Sequence, residues 1–192
     1  MLGQAARLSL PSIAIVGSRK PTLRTLSECF HLGRQLALAG INVVSGGAFG
    51  CDIKAHEGVL SANPQCATVI MAGGLGCLYP KSHYSRFLSI VSGGGALVSE
   101  RIWDYQPRPF DFPIRNRIIA GLCREVIIME AKPRSGSLTT AQVAIDNGRE
   151  VYVLTPAADT PMEIAGGSMS LIQDGAYCFR SADYLMKHLK GD

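Results

Sequence analysis

Short apolar runs alternate with longer amphipathic stretches along the chain. Ser12–Val16 (SIAIV), Ile41–Val44 (INVV), Ala67–Met71 (ATVIM), Ala96–Val98 (ALV), Glu125–Met129 (EVIIM) and Glu150–Leu154 (EVYVL) read as strands. Several are apolar almost throughout, as strands covered on both faces must be. Between them, Leu23, Leu26, Phe30 and Leu36–Leu38 mark one helix, and Ala141, Ala144 and Ile145 mark a later one. Strand–helix alternation predicts right-handed crossovers and a parallel sheet, hence the α/β class.

Composition narrows this reading without changing it. The 192 residues suggest one domain of ordinary size, and a chain with 47% hydrophobic and 18% charged residues is globular in character. The formal net charge of +4 suits an anionic partner but is a weak signal alone. The opening MLGQAARLSLPSIAIVG carries a single early Arg7 and a short apolar run ending in a glycine turn. That pattern fits a first strand better than an export signal, so no membrane association and a cytoplasmic location are expected. Cys29, Cys51, Cys66, Cys77, Cys123 and Cys178 form no CxxC pair, so free thiols are expected in place of disulfides or zinc.

Glycines punctuate the strand exits at Gly17, Gly46–Gly47, Gly73–Gly74, Gly136 and Gly166–Gly167. In open parallel sheets, ligands bind at the carboxyl ends of the strands. Gly17-Ser18-Arg19-Lys20 follows the first strand, and Pro21-Thr22 opens a helix whose N-terminus offers free amides. There Gly17 permits close backbone approach, Ser18 can donate a hydroxyl, and Arg19 can fork onto a phosphate. An ordinary tight turn with solvated cations is the competing account. The stretch is neither a GxGxxG fingerprint nor a P-loop, which argues against a nucleotide triphosphatase.

Ser45-Gly46-Gly47-Ala48-Phe49-Gly50-Cys51-Asp52 follows the second strand and could form an anion nest. Phe49 could stack on a base there, or plug the core. Asp52 and His56 share one helix face, as either a catalytic or metal-binding pair or a cap with a local hydrogen bond.

Phe112-Pro113-Ile114-Arg115-Asn116-Arg117 precedes an apolar helix and is the strongest polar signal. Residues two apart point to opposite sides of a helix, so one arginine is expected to face a cleft and the other to pair with a carboxylate. Glu130-Ala131-Lys132-Pro133-Arg134-Ser135-Gly136-Ser137 links a buried strand to a further helix. It offers a phosphate-friendly helix start with Lys132 and Arg134 attached, or simple capping by Ser135 or Ser137. No GxSxG elbow, HExxH motif or Ser–His–Asp set is present, so no catalytic residue, metal or cofactor is expected.

Taken together, these stretches resemble the DNA-processing protein A (DprA/Smf) family, over about Ile13 to Ala176. The elements fall in the family's order: GSR (17–19), SGGAFGCDIKAH (45–56), MAGGLGCLYP (71–80), SE (99–100), FPIRNRIIAGL (112–122), Glu130, SGSLTTAQVAIDNGREVYVL (135–154) and LIQDGA (171–176). The RNRIIAGL and SGSL segments are the specific ones. The resemblance implies an extended Rossmann-like, doubly wound, mostly parallel sheet with helices on both faces. It implies single-stranded DNA binding through a basic pocket, self-association as a homodimer, and transfer of DNA to a RecA-like recombinase in transformation or recombination. No hydrolytic activity is implied. The DNA or phosphate contacts expected are Gly17, Ser18, Arg19, Gly46, Gly47, Phe49, Arg115, Asn116, Arg117, Lys132, Ser135, Gly136 and Ser137.

The chain departs from the family pattern at five places, one of them the later GTN-like turn, which is Gly167-Ser168-Met169 here. Phe49 replaces a basic residue, Cys77 an aspartate, His83 falls near an expected asparagine, and Pro156-Ala157 replaces Pro-Gly. One domain spanning 1–192 is expected, without the family's usual helical domain before the core or its winged-helix-like domain after it, which makes the chain a trimmed piece or a minimal member. Two other functions compete. One is a nucleotide-binding enzyme or sensor of the lysine-decarboxylase-like nucleotide hydrolase group. Its PGGxGTxxE signature is approached by Ala72–Gly76 and Ala165–Ser168, neither of which supplies the trailing glutamate. The other is an interaction scaffold using Ile102, Trp103 and Tyr105, residues that a core-covering loop would also explain.

Overall fold

The computed structural model describes residues 1–4 and 8–190; Arg7 lies outside the described residues. Eight strands form one sheet: β1 (Leu2–Gly3), β2 (Ser12–Val16), β3 (Asn42–Ser45), β4 (Ala67–Ile70), β5 (Ala96–Val98), β6 (Glu125–Ile128), β7 (Glu150–Leu154) and β8 (Tyr177–Phe179). Their order is β1-β5-β4-β3-β2-β6-β7-β8. All pairings are parallel except the antiparallel β1–β5 edge. The α/β class expected from the alternation, and the doubly wound sheet that the family resemblance implies, are the ones observed. The six expected strands are present, and the sequence reading missed β1 and β8, the two edges.

The two-residue period of a strand sorts each apolar run onto both faces. Ile13, Ile15, Val43, Val69, Ile127 and Met129 pack under α1 (Leu23–Leu38), α2 (Cys51–Leu60), α3 (Tyr84–Ser92) and α7 (Ala182–Lys190). Ala14, Val16, Val44, Ile70, Val126, Ile128 and Val153 pack under α4 (Asp111–Leu122), α5 (Gly136–Asp146) and α6 (Met162–Gln173). Strands covered on both faces thus bury apolar side chains on both, with Ser12, Asn42, Ser45 and Thr68 buried among them. Of the cysteines, all free thiols, Cys29, Cys51, Cys66 and Cys123 are buried in this packing.

Chain direction reverses at the centre of the sheet. From β2 the chain winds outward through β3, β4 and β5; from β6 it winds the other way through β7 and β8. The loops leaving β2 and β6 therefore part to opposite sides, and a crevice opens between them. Helix α1 is fastened at this point. Its N-cap Thr22 side chain accepts from the Thr25 amide, and Glu130 Oε2 accepts from the Thr22 amide at 3.0 Å and the Thr25 hydroxyl at 3.1 Å. A buried carboxylate at the end of β6 thereby fixes the helix that follows β2. Among the described residues, no helix is long and apolar enough to cross a membrane.

Candidate nucleic-acid interface

The crevice between β2 and β6 is a cavity of about 490 Å³. Gly17, Ser18, Arg19 and Lys20 supply one wall, Phe112, Arg115 and Asn116 of α4 a second, and Lys132, Ser135, Gly136 and Ser137 a third. Nine of the thirteen residues expected at an anion site thus line one cavity, although the chain separates them by more than a hundred positions. The other four, Gly46, Gly47, Phe49 and Arg117, are not in its wall.

Three cations are available in the wall. Arg19 lies over the Phe112 ring, 5.4 Å from its centroid, and Lys20 and Lys132 stand nearby. None of the three is in an ion pair among the described residues. Ser135 occupies the N-cap position of α5 without capping it, and its hydroxyl is buried without a hydrogen-bond partner among the described residues. Capping by Ser135, one of the two sequence readings, is therefore not what its hydroxyl does. With the open amides of the first turn of α5 it offers donors to an anion at a helix N-terminus. Arg134 holds this loop's only positive φ outside glycine, +57°.

Arg115 faces the cavity, but its charge is already employed. Its Nη1 donates to the Gly46 carbonyl at 2.9 Å and to the Ile70 carbonyl, and its Nε donates to Asn116 Oδ1 at 3.1 Å. Burial pushes its pKa down to about 10, against the pull of Asp52, so it remains charged at neutral pH. It braces the ends of β3 and β4 against α4 from within the cavity wall. Arg117 bonds Glu100 at 2.5 Å on the exposed side of α4. The expected division between a cleft arginine and a paired arginine is therefore found in placement, while the cleft arginine is itself tied to the backbone.

The glycine loop after β3 corrects a further expectation. Its amides do not await an external anion, because Asp52 Oδ2 accepts from Gly46 N–H at 3.1 Å and Ala48 N–H at 3.3 Å. The chain's own carboxylate fills the nest. Burial raises the Asp52 pKa while Arg115 and these amides oppose the rise. Asp52 does not bond His56, whose two ring nitrogens are buried without partners among the described residues, so the pair is not a catalytic dyad. Phe49 does not plug the core; it is 42% exposed and packs edge-on to His83, with ring centroids 4.7 Å apart. His83 in turn bonds the Gly47 carbonyl through Nδ1 at 3.0 Å.

The sequence reading missed Phe112 as a cavity residue. The signal was present in the Phe-Pro pair that opens the arginine segment, but only the fold shows Arg19 lying on that ring. Trp103 and Ile102 are exposed, so the loop that carries them does not bury them as a core cover would.

The sequence matches the family of DNA recombination-mediator protein A over residues 1–190. The chain belongs to that family. It is 35% identical to Protein Smf of Escherichia coli over 98% of this chain and 50% of that one. It is 36% identical to DNA processing protein DprA of Bacillus subtilis over 92% of this chain and 58% of that one. The chain thus spans about half the length of the curated relatives it matches. Among solved structures, DNA processing protein A of Helicobacter pylori, described by its single-stranded DNA binding mode, superposes with a TM-score of 0.88 at 29% identity, covering 100% of this chain and 86% of that one. The Streptococcus pneumoniae protein superposes at 0.84 with 34% identity, over 97% and 64% of the two chains. A molybdenum cofactor binding protein of Rippkaea orientalis, at 17% identity and 0.63, shares the fold alone. Membership in a recombination-mediator family does not favour the nucleotide-hydrolase alternative.

Proposed function

We propose that this chain binds single-stranded DNA in the crevice between β2 and β6, holding it without breaking a bond. The observation that carries this is the cavity with Arg19, Lys20 and Lys132 free of ion pairs beside the unpartnered Ser135 hydroxyl. Such a wall offers cations and donors to a phosphate and presents no nucleophile with a neighbouring base. The Phe112 ring in the same wall can take a base by stacking, which a paired base within a duplex does not permit. The binding mode described for the Helicobacter pylori relative supports the same ligand. In this proposal the protein works in the cytoplasm and passes its strand to a RecA-like recombinase, in keeping with the family's description as a recombination mediator. It acts as a homodimer, because two crevices on one strand raise avidity through effective concentration.

The test is a titration of labelled oligothymidine, followed by anisotropy, with duplex and free nucleotide as competitors. Saturable binding displaced by unlabelled single strand and resisted by duplex is expected. Displacement by free nucleotide alone would overturn the reading in favour of a mononucleotide ligand.

A further inference from the structure

A second cavity, of about 780 Å³, lies beyond Phe112. Tyr79, Lys81 and Tyr84 line it, with Gln106 and Pro107 opposite. Tyr79 is 46% exposed and Tyr84 53%, unusual for two large rings in one small segment. Among the described residues, neither tyrosine hydroxyl has a hydrogen-bond partner. A ring contact links the linings of the two cavities. Tyr79 packs edge-on to Phe112, with centroids 5.7 Å apart, and Phe112 in turn carries the Arg19 guanidinium.

Resting on the single-stranded DNA reading, we propose that this second cavity is a stacking subsite for the nucleotides that flank those held in the crevice. Two neighbouring cavities, one lined by Phe112 and the other by Tyr79 and Tyr84, with Phe112 and Tyr79 in ring contact, suit a polymer with one base every few ångströms. Lys81, exposed and free of ion pairs among the described residues, supplies a phosphate partner. Aromatic faces accept any base, so the subsite adds affinity without adding sequence preference. It also explains why the tyrosines are exposed: a ring that stacks on a base must stand free of the core before the base arrives. The site acts only on strands long enough to leave the crevice, which gives it a signature separable from the crevice itself.

The experiment compares a short oligothymidine of about four nucleotides with one of about sixteen, lengths that bracket common single-strand site sizes. For the combined Tyr79→Ala and Tyr84→Ala variant, affinity for the long strand is expected to fall at least about tenfold, with the short strand unaffected. Tyr84→Ala alone, which leaves the Tyr79–Phe112 contact in place, gives a smaller loss of the same kind, and Tyr84→Trp restores binding. Equal losses on both lengths, or no loss on either, overturn the subsite while leaving the crevice standing. If the unsubstituted chain binds neither length, the DNA reading fails and takes the subsite with it.

Discussion

Arg115 shows how a buried charge can sit in a binding cavity and serve the fold. Its guanidinium donates to the Gly46 and Ile70 carbonyls and faces Asp52, which itself occupies the amides of the glycine loop. Removing the side chain leaves two buried carbonyls without their donor, and takes a neighbouring positive charge from the Asp52 carboxylate. Each buried acceptor left without its donor costs about 1–3 kcal/mol. Arg115→Ala is therefore expected to lower the melting temperature by on the order of 10 °C. Differential scanning calorimetry decides the matter: an unchanged melting temperature together with lost DNA binding would make Arg115 a ligand contact and not a brace. Sequence could not make this distinction. The Arg-Asn-Arg pattern shows that one arginine turns inward, but a guanidinium in a cleft may be read equally as awaiting a phosphate or as holding carbonyls. Only the positions of Gly46 and Ile70, sixty-nine and forty-five residues away, resolve it. The same limit explains the glycine loop, whose anion proved to be Asp52, six residues from Gly46.

At the scale of elements, the apolar runs were legible because a strand buried on both faces is mostly apolar, even with Asn42, Ser45 and Thr68 buried in β3 and β4. The edges were not. β1 has two residues, and in β8 both Tyr177 and Cys178 are exposed, so neither presents a doubly apolar run. The α1–α2 contact was equally hidden. A Cβ on Gly33 would stand 2.2 Å from the Ala55 carbonyl oxygen, and one on Gly58 would stand 2.0 Å from that of Phe30. These two glycines let the helices touch through their backbones, and His56 of α2 is fully buried. Burial lowers the His56 pKa from 6.5 to about 4. The unfolded chain takes up this proton first as pH falls, so the folded state is at full strength above about pH 6.5 and weakens progressively down to about pH 4. The full difference corresponds to about 3 kcal/mol. Urea unfolding between pH 7 and pH 4 should show this loss, and His56→Leu should reduce it. A pH dependence identical in both proteins would place the sensitivity elsewhere.

For the molecule as a whole, the sheet's change of winding direction at β2 and β6 creates the crevice, and the loops it separates bring Arg19, Lys20, Lys132, Ser135 and Phe112 together. The glycine punctuation at strand exits made the location readable in advance; the division between free and occupied cations did not follow from it. The central claim is that the free cations meet phosphates. Its most direct measurement is the salt dependence of oligothymidine binding for the unsubstituted chain and for an Arg19→Ala, Lys132→Ala variant. Each phosphate contact contributes a slope of about −0.7 in log affinity against log salt for single strands. The variant is expected to bind more weakly at every salt concentration, alike for all base sequences, with a slope flatter by about 1.4. A slope unchanged by the two substitutions would contradict the account and move the phosphate path away from this crevice.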